Sequence, residues 1–225
     1  MQNTKGKIIV IDGGDGSGKA TQTKLLVERL SSEGRSVKTI DFPRYGTNLL
    51  GSLIRECLDG RRGDFIGLDA RIASVLYAVD RFETLPTIRK WLEDGDIVIF
   101  DRYVSANQIH QGGKLSDPKA REEFLTWLDR LEFGVLGLPK PDVIVYLHVP
   151  VEISVGLARA RAEAKSQEPD EAEKNTRHQL ESQESALSIV KRSNNWVKVE
   201  CAPEGAMLSP EVIHGKIYQA VKSFV

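Results

Sequence analysis

A glycine-rich segment near the N-terminus constrains this chain more than any other feature. The apolar, β-branched stretch Lys7–Ile11 is followed by Gly13, then by four residues, then by Gly18 and Lys19 at the start of an amphipathic run. A strand, a glycine-rich turn and a helix in this order form a phosphate-binding loop, whose backbone N–H groups and lysine surround phosphate oxygens. We predict that Lys19 contacts the β- and γ-phosphates of a nucleoside triphosphate. The predicted loop residues are Gly13, Gly14, Asp15, Gly16, Ser17, Gly18, Lys19, Ala20 and Thr21.

Short β-branched runs alternate with longer amphipathic runs along the rest of the chain. The predicted strands are Lys7–Ile11, Val37–Ile40, Asp96–Phe100, Asp142–His148 and Trp196–Glu200. The predicted helices are Lys19–Glu33, Asn48–Asp59, Asp69–Glu93, Ala120–Phe133, Val151–Ala164 and Lys174–Arg192. Strands that are apolar almost throughout indicate a parallel sheet buried on both faces. We therefore predict an α/β fold with a five-stranded parallel sheet flanked by helices, formed by residues 1–225 as one domain.

Composition argues against nucleic acid and membranes as partners and indicates a reducing compartment. The 225 residues carry a formal net charge of -1, so the chain has no general basic field for a nucleic-acid backbone. Two cysteines, Cys57 and Cys201, are too few for a disulfide framework and suit a reducing compartment. No apolar run approaches membrane-spanning length. We expect a soluble, cytoplasmic protein that binds neither nucleic acid nor a membrane.

The position after the loop lysine departs from the usual pattern. A Ser or Thr normally stands there and ligates Mg²⁺ through its hydroxyl, but this chain has Ala20. Thr21 points about 100° away around the helix and does not simply substitute. We expect phosphates, water and carboxylates to hold the metal instead, with Asp12, Asp15 and Asp101 as candidates.

The loop from Asp12 to Lys19 resembles that of thymidylate kinases, which carry an acidic-Gly-x-Asp-x-x-Gly-Lys form, and the resemblance extends from about residue 7 to about residue 200. It implies the P-loop nucleotide kinase fold, with a short lid. It also implies that Asp15 lies near the metal and the sugar of the acceptor nucleotide.

Two further motifs resemble the family's acceptor site. Phe42-Pro43-Arg44-Tyr45-Gly46 follows the second strand, and the resemblance implies that Arg44 orients the acceptor phosphate and that Phe42 and Tyr45 lie beside it. Tyr77 and Arg81 are four residues apart and so share one face of a helix. By resemblance, Tyr77 stacks on the thymine ring and Arg81 donates to the edge of the base.

The Asp-Arg-Tyr triplet after the third strand is the family's most specific signature after the loop itself. Arg102 is expected to clamp the transferred and accepting phosphates, because its fork of donors suits a planar spread of charge. Asp101 then holds Mg²⁺ through water or orients Arg102. The resemblance further implies that Asn107, His110 and Gln111 contact the acceptor, although His110 replaces the family's usual tyrosine, which is associated with rejecting a 2′-hydroxyl.

The lid is predicted in the polar, charged segment at about 162–177. Family members with a glycine after the loop aspartate, here Gly16, usually carry a catalytic arginine in the lid. Arg159 and Arg161 are the favoured candidates, and Glu173 is a further metal candidate. A mobile cation that closes over ATP would neutralise charge and exclude water.

The resemblance implies that the chain transfers the γ-phosphoryl group of Mg·ATP to dTMP and forms a homodimer. Two alternatives stay open at this point. In the first, the acceptor is another nucleoside monophosphate, as His110 allows. In the second, the chain is a P-loop protein that binds nucleotide without modifying a small molecule, as Ala20 allows.

Overall fold

Each of the five predicted strands is present in the computed structural model. The structure describes residues 6–164 and 175–225, apart from the side chains of residues 158, 159 and 161–164. The strands are β1 (Lys7–Gly13), β2 (Val37–Asp41), β3 (Ile97–Asp101), β4 (Val143–His148) and β5 (Trp196–Glu200). The α-helices of the described residues are α1 (Lys19–Ser32), α2 (Leu49–Leu58), α3 (Ala70–Glu83), α4 (Leu85–Asp94), α5 (Val104–Gly113), α6 (Pro118–Asp129), α7 (Val151–Ala164), α8 (Thr176–Val190) and α9 (Pro210–Val221).

The strands form one parallel sheet in the order β2-β3-β1-β4-β5. Ile9 of the central strand is paired with Ile99 of β3 on one side and with Val143 of β4 on the other. The predicted five-stranded parallel sheet is confirmed. Because all carboxyl ends meet at one edge, the loop after β1 lies beside the residues that follow β3, where doubly wound sheets bind ligands.

Both faces of the sheet are buried, which explains why the strands are apolar at successive positions. On β1, Ile8 and Val10 belong to a core formed with α4, α5, α6 and α8, whereas Ile9 and Ile11 belong to a core formed with α1 and α9. Successive side chains of a strand point to opposite faces, so a strand covered on both sides needs apolar residues throughout. The prediction of helices on both faces is confirmed.

The predicted helix Asp69–Glu93 was wrong as a single element, because it is divided at Thr84 into α3 and α4. Pro86, in the first turn of α4, has no backbone N–H, and its ring would clash with the preceding turn of a continuous helix. Asp69 does not belong to α3 but caps it, accepting hydrogen bonds from the N–H groups of Arg71 and Ile72.

The sequence analysis also missed two helices, α5 and α9, each of which contains glycine at a helical position. The predicted run Ala120–Phe133 instead divides into α6 and a π-helical turn, Arg130–Val135. Among the described residues, no helix is both long enough and apolar enough to cross a membrane.

Candidate active site

The phosphate-binding loop is formed where β1 ends at Gly13 and α1 begins at Lys19. Gly18 precedes α1 with φ 91°, a left-handed conformation that glycine adopts without steric cost. The Lys19 ammonium group donates to the carbonyl oxygens of Gly13 and Gly14 at 3.0 and 2.8 Å. Burial, together with the charge of Arg102, lowers the pKa of Lys19. The lysine is therefore held inside the loop by backbone carbonyl groups.

Asp15 and Arg102 form a largely buried ion pair between the loop and the end of β3. Lys19 Nζ also lies 3.9 Å from Asp15 Oδ1. Burial alone would raise the pKa of Asp15, but the charges of Arg102 and Lys19 outweigh it and hold that pKa well below its ordinary value. The carboxylate thus stays ionised between two cations. It links the predicted donor-phosphate residues to the predicted acceptor clamp.

Arg102 has an unusual backbone conformation, with φ 66°. A residue with a Cβ rarely occupies this left-handed region, at a cost of about 1–3 kcal/mol that the surrounding structure must offset. The Arg102 N–H donates to the carbonyl oxygen of Ile11 at 3.0 Å, which ties the residue to β1. Backbone strain of this kind is often found where a side chain is aimed at a ligand. The conformation supports a role for Arg102 in the site.

The carboxylates nominated as metal ligands differ in how accessible they are. Asp12 is fully buried and accepts from the Ser105 hydroxyl at 2.6 Å and from the Gly13 N–H at 2.8 Å. Burial raises the pKa of Asp12 and that of Asp101. Of Asp12, Asp15 and Asp101, Asp101 alone is partly exposed and has a side chain that forms no ion pair or hydrogen bond within residues 6–164 and 175–225.

These carboxylates fit Mg²⁺ that arrives with the nucleotide. No group of three or more His, Cys, Asp or Glu side chains is placed to hold a metal ion within residues 6–164 and 175–225. Mg²⁺ usually keeps several waters and takes one or two carboxylates together with substrate phosphates, so it needs no cage of protein ligands. Asp101 and Asp15 suit that role. Glu173, the other nominated ligand, lies outside the described residues.

The Phe42–Gly46 motif forms a loop that is fixed at both sides. The Phe42 ring is buried, with its centroid 5.7 Å from that of Phe100 and 6.1 Å from that of Tyr103. The Arg44 N–H donates to Asp80 Oδ2 at 3.1 Å, while its side-chain Nε donates to Thr47 at 2.9 Å. Asp80, which the sequence analysis did not identify, therefore positions the backbone from which Arg44 extends.

Gly51 of α2 gives a test of that loop. A Cβ at this position would overlap the carbonyl group of Arg44 and lie 2.9 Å from Asp80 Oδ1. We expect Gly51→Ala to raise the KM for the acceptor about tenfold and to lower the free energy of unfolding by about 1–3 kcal/mol, because overpacking shifts the backbone. Steady-state kinetics and urea unfolding measure both effects.

The matched control for this prediction is Gly215→Ala in α9, where an added Cβ meets nothing within 4 Å. Replacing a helical glycine by alanine in open space is neutral or stabilising by up to about 1 kcal/mol. Equal behaviour of the two variants would contradict the role given to Gly51.

Arg81 and Asn107 converge on a residue that the sequence analysis did not identify, Glu132. Arg81, with 2% of its surface exposed, donates to both Glu132 carboxylate oxygens at 2.7 and 2.6 Å. Asn107 donates to Glu132 Oε1 at 2.9 Å. Glu132 is fully buried in the π-helical turn after α6. A charged residue in the run Leu131-Glu132-Phe133 was the available sequence signal, but nothing local identified its partners.

A groove of about 1160 Å³ opens beside the predicted base-binding residues. Phe65 lines it, and the Phe65 ring centroid lies 5.8 Å from that of Tyr77. His178 also lines it and stacks on His110, with ring centroids 5.7 Å apart. Tyr77 and His110 do not line the groove themselves, but each ring lies next to that of a residue that does.

His110 and Gln111 each have a buried polar atom without a partner in the described part of the structure, Nε2 and Oε1 respectively. His110 Nδ1 lies 3.2 Å from the Ser182 hydroxyl. Burial and the nearby charge of Arg102 hold the pKa of His110 well below its ordinary value, so the imidazole is neutral at pH 7. Unpaired buried polar groups carry a desolvation cost that a bound ligand can relieve.

The lid prediction falls mostly on residues that the structure does not describe. Residues 165–174 are outside the described ranges, and Arg159 and Arg161 lie on α7 without described side chains. Their roles therefore stay predictions.

A glycine-rich loop after the central strand β1, joined by an ion pair to an arginine at the end of the neighbouring strand β3, is the arrangement of the P-loop nucleotide kinases. The family model for thymidylate kinase matches residues 11–212. The chain therefore belongs to the thymidylate kinase family.

Individual relatives agree with this assignment. A thymidylate kinase of Mycobacterium tuberculosis (strain CDC 1551 / Oshkosh) is 39% identical over 142 residues, which are 63% of this chain and 65% of the relative. The human thymidylate kinase is 30% identical over 150 residues, 66% of this chain and 64% of the relative. The alignments thus span just under two thirds of these relatives. A solved structure of thymidylate kinase from Candida albicans superimposes with a TM-score of 0.72 at 22% identity, covering 97% of this chain and 92% of that one, which shows a shared fold.

Proposed function

We propose that this protein transfers the γ-phosphoryl group of ATP to dTMP, giving dTDP and ADP. The observation that carries the proposal is the largely buried contact of Asp15 with Arg102, which joins the proposed triphosphate-binding loop to an arginine beside the proposed acceptor motif. Membership of the thymidylate kinase family supports dTMP as the acceptor. So does the position of Tyr77 and Arg81 on one face of α3, which would place a base stacked on Tyr77 beside the Arg81 guanidinium.

In the proposed reaction, an oxygen of the dTMP phosphate attacks the γ-phosphorus in line with the leaving group. A new P–O bond forms, the bond from the γ-phosphorus to the bridging oxygen breaks, and ADP leaves with that electron pair. Lys19 neutralises charge on the donor phosphates, while Arg44 and Arg102 hold the acceptor phosphate. The acceptor is already anionic near neutral pH, so positioning and charge neutralisation supply most of the catalysis and no general base is needed.

Mg²⁺ belongs to the same proposal. Asp101 and Asp15 are the residues that would hold it, through water or directly, and bound Mg²⁺ would neutralise charge on the phosphates. Ala20 has no oxygen to offer, so the phosphates and water supply the remaining ligands. The lid arginine, either Arg159 or Arg161, would add a second cation over the donor phosphates.

The proposal is tested by incubating the purified protein with Mg·ATP and, in turn, dTMP, dUMP, UMP, CMP, AMP and GMP while following ADP formation. We expect dTMP to give the highest kcat/KM. A higher kcat/KM with another monophosphate would keep the fold and mechanism but overturn the acceptor assignment. ATP binding without phosphorylation of any acceptor would favour a nucleotide-binding protein without kinase activity.

The homodimer and the cytoplasmic location stay predictions. The former is supported by α3, where Ile72, Val75 and Phe82 are exposed at spacings that place them on one side of the helix.

A further inference from the structure

The contact with Glu132 determines the orientation of the Asn107 side-chain amide, that is, where its nitrogen and its oxygen lie. Its nitrogen donates to the Ser74 carbonyl oxygen at 3.2 Å and to Glu132 Oε1 at 2.9 Å. A side-chain amide has two N–H donors and one carbonyl acceptor, and amide orientation is assigned from such contacts. Both donors are therefore used, and the carbonyl oxygen is the group that Asn107 can still offer.

The same carboxylate restricts what Arg81 can offer. Of its five N–H donors, the one on Nε and one on Nη2 bind the two oxygens of Glu132, and one on Nη1 donates to the Tyr103 carbonyl oxygen at 3.3 Å. A guanidinium held at both ends of its fork cannot rotate without breaking charge-assisted bonds. Two N–H donors remain, and Arg81 offers donors only.

Because Glu132 and two backbone carbonyl groups occupy the other groups, Arg81 can offer a ligand only N–H donors, and Asn107 can offer it only the carbonyl oxygen as an acceptor. A ketopyrimidine such as thymine or uracil presents the complementary pair, because O4 accepts and N3–H donates. Cytosine presents the opposite pair, since its N4 amino group donates and its N3 accepts. A mismatched base would leave two buried polar groups of the protein unpaired, which costs more than a lost contact.

We infer that Glu132 is a positioning residue that sets the hydrogen-bond polarity of the acceptor-base pocket, so that ketopyrimidine monophosphates are selected over aminopyrimidine monophosphates. This inference rests on the proposed function. The location of Glu132 in a π-helical turn gives independent support. Such turns occur often at functional sites, and they place a side chain out of the α-helical register.

Glu132→Gln is the direct test, because the amide keeps the shape of the carboxylate but replaces one acceptor by a donor. That donor faces an N–H of Arg81 or Asn107, so one of them must move. We expect the ratio of kcat/KM for dTMP to that for dCMP to fall at least tenfold. The loss should lie mainly in the KM for dTMP, with kcat much less affected, because the phosphate-binding residues are unchanged. Glu132→Asp retains an acceptor-only group and should retain the preference for dTMP over dCMP.

Glu122→Gln, at an exposed position of α6, is the matched control and should leave both constants unchanged. An unchanged dTMP to dCMP ratio in folded Glu132→Gln would overturn the inference while leaving the proposed function intact. If that variant does not fold, the wild-type protein is assayed with N3-methylated dTMP, which lacks the N3–H donor. At least a tenfold loss relative to dTMP supports the inference, and equal use contradicts it.

A wild-type protein that phosphorylates no monophosphate would overturn the proposed function instead. In that case calorimetric binding of dTMP and dCMP to wild-type protein and to Glu132→Asp gives the selectivity directly. Equal affinity of the wild-type protein for the two nucleotides would then overturn the inference as well.

Discussion

Arg102→Ala is expected to lower kcat/KM for dTMP by about 10³-fold or more, the scale on which an arginine that stabilises phosphoryl transfer acts. The guanidinium is held beside the phosphate-binding loop by Asp15, and burial does not neutralise it, because the Asp15 and Asp12 carboxylates raise its pKa. Alanine removes the fork of donors that suits the planar charge of the transferred group. Binding of ATP should persist, because Lys19 and the backbone of the loop are unchanged.

Steady-state kinetics with Mg·ATP and dTMP, together with calorimetric ATP binding, measure this prediction. Arg102→Lys keeps the charge but loses the two-pronged geometry, so an intermediate loss of about 10- to 100-fold is expected. Arg35→Ala, at an exposed position before β2, controls for the removal of one positive charge and should keep full activity. If Arg102→Ala retained more than a tenth of the wild-type kcat/KM, Arg102 would not act on the transferred phosphate.

The strands and the phosphate-binding loop were predictable because their signals are local. Both faces of the sheet are buried, so each strand appears in the sequence as an unbroken β-branched run, and the loop has fixed spacing between Gly13 and Lys19. Helix α5 was not predicted, because its amphipathic pattern is weak and it ends in two glycines. Helix propensity is a weak signal when tertiary packing decides, as it does where α5 packs on α8.

The partners of the site residues could not be predicted in the same way. Arg81 and Glu132 are separated by 51 positions, and Asp80 meets the Arg44 backbone across 36. Periodicity within a segment carries no information about such pairs. The Tyr77–Arg81 spacing correctly indicates a shared helix face, but it does not indicate that Arg81 is already bound to a carboxylate.

The second large effect we expect is on stability, from Arg81→Met. The substitution leaves the Glu132 carboxylate fully buried, and among the described residues the Asn107 amide is its remaining side-chain donor. Breaking a buried ion pair from one side costs about 3–5 kcal/mol, because the remaining charge is desolvated without compensation. Urea unfolding should show a lower midpoint with an unchanged dependence on denaturant concentration.

The double variant Arg81→Met/Glu132→Leu removes both charges and should recover part of the lost stability, since apolar replacement of a whole buried pair is often close to neutral. The exposed pair of Arg177 with Glu181 on α8 provides the control, with Nε and Oε1 2.8 Å apart. Arg177→Met should produce no measurable change, because exposed pairs gain little in water. The prediction would be wrong if Arg81→Met were as stable as the wild type, or if the double variant were less stable than Arg81→Met alone. In either case the two charges would not depend on each other for the stability of the fold. The Arg81–Glu132 contact would then be an arrangement that the unliganded pocket adopts and that a bound base replaces.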